Sequence, residues 1–173
     1  MKTFKILFAA IIIAGFAGSA FAQEFDKSAD ATATAQILQQ LDIEKNEDID
    51  FGTILDGTTA TLDPRNGGSI VNFDEVFNVG KFTISGPNGQ NIIINFDETV
   101  TLEGLGDDLT LNTDVIFNDE DDDAEAADLN TGGSATLSGS GSGFVWVGGN
   151  ITVPGGQTAG EYAGTFNISV EYN

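Results

Sequence analysis

Apolar and polar residues alternate through most of the chain, and the last stretch shows this best. Tyr162, Gly164, Phe166, Ile168, Val170 and Tyr172 fall on one face, and Ala163, Thr165, Asn167, Ser169 and Glu171 on the other. A period of two predicts a strand with one face on a core and the other in water. Similar runs predict strands over 48–54, 58–62, 69–73, 81–85, 91–96, 99–103, 109–117, 135–138, 143–147 and 150–153. Ser85-Gly86-Pro87-Asn88-Gly89 reads as a hairpin turn, Pro fixing φ and Asn-Gly accepting a left-handed conformation. Asn66-Gly67-Gly68 and Pro154-Gly155-Gly156 mark further turns. No segment carries a helical apolar stripe, and 123–130 has too few apolar anchors to dock a helix. Many short strands with frequent turns favour an all-β, two-sheet antiparallel sandwich over a closed barrel.

Two N-terminal segments stand apart. Lys2 and Lys5 precede an apolar and small-residue run, Ile6 to Phe16, followed by Ala20-Phe21-Ala22. This is the pattern of a cleaved signal peptide over 1–22, too short in its apolar part to span a bilayer comfortably. The predicted organisation is therefore 1–22 signal peptide, 23–37 N-terminal extension and 38–173 sandwich domain. Within the extension, Ala29, Ala31, Ala33, Ala35 and Ile37 alternate with Asp30, Thr32, Thr34 and Gln36, until the phase breaks at Leu38-Gln39-Gln40.

Charge narrows the functional classes. The chain has 173 residues, 27 Asp+Glu against 6 Lys+Arg, no His and no Cys, for a net charge of −21. Such a surface repels phosphate backbones and anionic lipid, so nucleic-acid binding is not expected. Without His or Cys there is no imidazole base, no Ser-His triad, no thiolate nucleophile, no thiolate zinc site and no disulfide. A cofactor is not expected, and a metal would need oxygen ligands, which points to Ca²⁺ or Mg²⁺. The 13 Phe residues separate the chain from disordered acidic tails, which lack aromatics.

The sharpest acidic feature is 119–128, where seven of ten residues are Asp or Glu. Asp119, Asp121 and Asp123 have the spacing of the first Ca²⁺ ligands of an EF-hand loop, but Ala124 stands at the glycine position and Asn130 at the bidentate Glu position. A solvated, extended acidic loop is the favoured reading. Paired carboxylates could serve a glycosidase, yet chance pairs are nearly guaranteed among 27 acids. Trp146, in Phe144-Val145-Trp146-Val147, reads as packing rather than a sugar platform. The Ser/Gly run 137–143 lacks phosphate-loop spacing and reads as a connection.

Three features occur together: Ala31-Thr32-Ala33-Thr34-Ala35, Asp50-Phe51-Gly52-Thr53-Ile54, and the ending from Ala159-Gly160-Glu161-Tyr162 to Tyr172-Asn173. Together they resemble an uncharacterised family of secreted bacterial β-proteins, a domain of unknown function. That family in turn looks like chaperone–usher fimbrial subunits and spore-coat-U-type pilins. The resemblance implies an immunoglobulin-like sandwich missing a strand, its groove filled by a neighbour's N-terminal extension. Ala31, Ala33, Ala35 and Ile37 would be the donated side chains, and Tyr162, Phe166, Ile168, Val170 and Tyr172 would line the acceptor. The implied role is a non-catalytic subunit of a surface polymer, self-associating and served in the periplasm by a chaperone and an outer-membrane assembly protein. On the residues alone, 29–37 suits a donated strand and the first strand of a self-contained sandwich equally. A monomeric secreted module binding a glycan or Ca²⁺ is the alternative function.

Overall fold

A computed structural model describes residues 29–65, 69–71 and 77–173. The expected signal peptide and the Asn66-Gly67-Gly68 turn lie outside the described residues. The second of two compact units runs from Ile37 to Asn173. Among the described residues its strands are β1 (Asp42–Glu47), β2 (Thr59–Asp63), β3 (Ser69–Val71), β4 (Gly80–Ser85), β5 (Asn91–Phe96), β6 (Thr99–Leu102), β7 (Leu109–Asn118), β8 (Ala127–Asp128), β9 (Gly133–Thr136), β10 (Ser142–Thr152) and β11 (Ile168–Tyr172). The described residues contain no helix.

The strands form two antiparallel sheets packed as a sandwich. In the larger sheet β10 is the spine: β7 runs along one edge, and β4 and then β2 share the other. β1 flanks β4, β3 flanks β2, and β6 and β8 pair with opposite ends of β7. The smaller sheet has the order β11-β5-β9. Alternate residues of facing strands meet between the sheets. Ile84, Ile92, Ile94, Val145 and Val147 are fully buried there, with Phe82, Val115, Ala135 and Leu137 around them. A second core, formed by Phe51, Ala60, Leu62, Val100, Leu109, Leu111, Ile151 and Val153, lies further along the large sheet.

Several elements depart from the sequence pattern. The two strands expected over 143–147 and 150–153 are the single strand β10. The turn at 86–89 exists, with Gly89 at φ 64°, but it does not close a hairpin. Its amides Gly86 and Gly89 bond to Gly141 and Ser138, so the chain crosses from the large sheet to the small one. β1 carries Asp-Ile-Glu-Lys-Asn-Glu, a poor apolar pattern, because it is a solvent-facing edge strand whose charges discourage edge pairing. The expected strand over 48–54 is interrupted. The Asp50 carboxylate accepts the Gly52 amide at 2.7 Å, and Gly52 adopts φ 62°, a conformation that ends strand geometry and suits glycine. In the expected strand over 162–172, only Ile168–Tyr172 joins a ladder. No strand forms over 29–37, so this segment is not the first strand of a self-contained sandwich.

The acidic segment is folded back rather than simply extended. Ala126 and Trp146 are buried with Ile116 on the large sheet, apart from the two main cores. Lys81 Nζ bonds to Asp121 at 2.6 Å and lies 5.6 and 5.7 Å from the ring centres of Phe144 and Trp146. A cation over two rings and against a carboxylate ties the segment down.

A candidate acceptor cleft between 48–56 and 157–166

The second core has the large sheet on one side only. Its other side is covered by two extended stretches, 48–56 and 157–166, which lie outside every strand. Between them opens a cleft of about 930 Å³. Val100, Leu102, Leu109, Leu111, Ile151 and Val153 form its floor, and Tyr162 and Phe166 belong to its wall. Among the described residues, each lip enters a ladder at one bridge only, Asp50 with Asn78 and Ala163 with Glu103. Elsewhere both lips lie outside the ladders, beside an apolar floor.

Both lips are held firmly. The Tyr162 hydroxyl donates to the Thr158 carbonyl at 2.7 Å and accepts from the Gly106 amide at 3.0 Å and Gln157 Nε2 at 2.9 Å. These three bonds pin the ring of Tyr162 between the 104–106 turn and its own upstream backbone. Gly164 lets the same lip press onto β6: a Cβ there would lie 2.3 Å from the Thr101 carbonyl oxygen. At one end, Asp56 joins the lips by accepting the Gly156 amide at 2.8 Å and the Gln157 amide at 3.0 Å. Those bonds, Gly156 foremost, hold the Asp56 carboxyl below its usual range. At the far end of the sandwich the seam closes, where the Tyr172 hydroxyl donates to the Gln39 carbonyl.

The structure divides the expected acceptor residues. Tyr162 and Phe166 line the cleft. Ile168, Val170 and Tyr172 lie on β11, already paired with β5, and Ile168 and Val170 pack against the first core. Ala31, Ala33 and Ala35 lie in an exposed segment without regular structure, and Ile37 is 94% exposed. Asp119, Asp121 and Asp123 do not converge: among the described residues no three acidic side chains form a metal-ligating group, and Asp121 is engaged by Lys81. Sequence reasoning missed the lip over 48–56, the Asp56 tie and Leu105. The Asp-Phe-Gly-Thr-Ile motif signalled the first, and a leucine isolated between Gly104 and Gly106 signalled the last.

Among the described residues no helix is long and apolar enough to cross a membrane. A search of curated proteins finds no match to the chain. A family model described as a domain of unknown function, DUF4402, matches residues 41–172, and the chain belongs to that family.

Proposed function

We propose that the chain is an exported, non-catalytic structural subunit of a fimbria-like surface polymer, assembled by β-strand donation from its N-terminal extension. The observation that carries this reading is the cleft: an apolar floor between two extended lips that the fold leaves outside its ladders. A strand entering there would complete backbone hydrogen bonding and cover what remains open of the floor, Leu102 above all. A small ligand could fill such a volume, but it would leave the lip amides and carbonyls without ladder partners. Asp56 itself is ill suited to be a general acid, because its amide bonds favour the charged form.

In this reading Ala31, Ala33, Ala35 and Ile37 face the floor, and the polar residues between them face water. A head-to-tail contact of this kind does not close on itself and grows a fibre. A periplasmic chaperone would cover the seam in transit, and an outer-membrane assembly protein would exchange it for the next subunit's strand. Protein beginning at Gln23 should run as a ladder on a denaturing gel when unboiled and form fibres under the electron microscope. Deleting 23–37 should abolish both. A single scattering mass equal to the monomer, with or without that segment, would overturn the proposal.

A further inference from the structure

Among the described residues four large apolar side chains stand exposed: Ile37 at 94%, Leu38 at 51%, Leu55 at 52% and Leu105 at 79%. They form two groups. Ile37 and Leu38 are consecutive, just before β1. Leu55 adjoins the Asp56 tie, and Leu105 packs beside Gly160, within 3.1 Å of where a Cβ on that glycine would lie. Both leucines therefore flank the 155–160 turn that bounds one end of the cleft.

Strand registers place the two groups at opposite ends of the sandwich. Asp42 pairs with Ser85, and Ser85 with Ser142, at one end of β10. At the other end Ile151 pairs with Leu111, and the β6–β7 connection that carries Leu105 follows the Leu102–Leu109 pair. The nine steps of β10 from Ser142 to Ile151 span roughly 30 Å at about 3.3 Å each. The four steps from Ile37 to Leu41 reach at most about 14 Å. The chain's own Ile37 and Leu38 cannot reach its own Leu55 and Leu105.

We infer that Ile37 and Leu38 of one copy dock on Leu55 and Leu105 of the next, sealing the mouth of the cleft. This rests on the strand-donation reading and fixes its polarity. With Ile37 at the Asp56 end, the donated strand runs antiparallel to 157–166 and parallel to 48–56. The alanines then run inward over the floor. Among residues 29–38, Ile37 and Leu38 are the large apolar side chains. The part of the donated strand nearest Leu55 and Leu105 brings no charge to a cleft bordered by Glu47, Asp48, Asp50, Asp56 and Glu161 against Lys45: 31–41 has no charged residue, and Asp30 lies seven residues before Ile37.

The chain has no cysteine, which permits a direct test. Ile37→Cys and Leu105→Cys variants, each beginning at Gln23, are unfolded together, refolded as a mixture and oxidised. The expected result is a disulfide-linked dimer joining one copy of each, at least tenfold more abundant than either homodimer. Pairing Ile37→Cys with Thr136→Cys, on β9 of the small sheet, should give no such excess. A fibre-forming mixture whose Ile37→Cys copies fail to link to Leu105→Cys overturns this inference and leaves strand donation standing. If the unaltered protein remains monomeric, both readings fall.

Discussion

The two halves of the sandwich bury similar side chains by different means. Around Ile84, Ile94 and Val147, β4 and β10 face β5, and each backbone lies in a ladder. Around Leu109, Leu111 and Ile151 only the large sheet is complete, and 48–56 and 157–166 stand where a second sheet would be. The difference is one of backbone rather than hydrophobicity. Apolar burial is nearly finished in both halves, but hydrogen-bond pairing is finished in one. The first half should thus account for the stability of the lone subunit, and the second for what a neighbour adds.

Truncating the closed half should have the largest effect. Ile84→Ala and Ile94→Ala remove side chains with 0% exposure, and each should cost about 2–5 kcal/mol in urea unfolding of the monomer. Leu102→Ala, under the open half, should cost the monomer less, about 1–2 kcal/mol, because the side chain is only half-buried. Its cost should grow in the polymer, where the donated strand covers it. Equal losses in both states would remove the distinction between the halves.

Tyr162→Phe comes next. It keeps the ring and deletes three hydrogen bonds, leaving the Gly106 amide and Thr158 carbonyl without that partner. A loss of about 1–3 kcal/mol is expected. Faster amide exchange should be confined to Gly106 and 157–166 and absent from β4 and β5.

The Asp56 tie gives a smaller, pH-dependent effect. Its folded pKa is lowered by the Gly156 and Gln157 amides. Its stabilisation is therefore present above the unfolded value of about 3.9 and lost as pH falls through the folded one. Asp56→Asn should lower the melting temperature slightly at neutral pH, with the difference vanishing in acid.

Asp114, on β7 away from the cleft, provides the opposite sign and the smallest effect. Desolvation raises its pKa, Asp128 and Asp63 add repulsion, and Arg65 partly offsets them. Its protonation favours the folded state, an advantage lost as pH rises through the raised value. Asp114→Asn should raise the melting temperature slightly near pH 7 and leave it unchanged below the ordinary carboxylate range.

The closed half was legible in the sequence because alternation is strong where both faces of a pair are fixed by packing. The pattern places β5 to the residue and β4 within one, and does as well for the paired floor strands β2, β6 and β7 of the other half. The lips of the open half were harder to read. Over 162–172 the period of two persists, but pairing needs a neighbour, and only 168–172 has one. Over 48–54 the alternation includes Phe51, yet a side-chain bond from Asp50 turns the backbone at Gly52. Ile168, Val170 and Tyr172 share a predicted face with Tyr162 and Phe166. Pattern alone could not separate the three already matched by β5 from the two facing the cleft.

Amide hydrogen exchange along 162–167 and 50–54 tests the central claim most directly. Protein lacking 23–38 is compared with and without a synthetic peptide of residues 29–38. Slowed exchange in both lips on adding the peptide, with β4, β5 and β10 unchanged, is the predicted result. Exchange unaltered by saturating peptide would contradict the claim that this seam receives a strand.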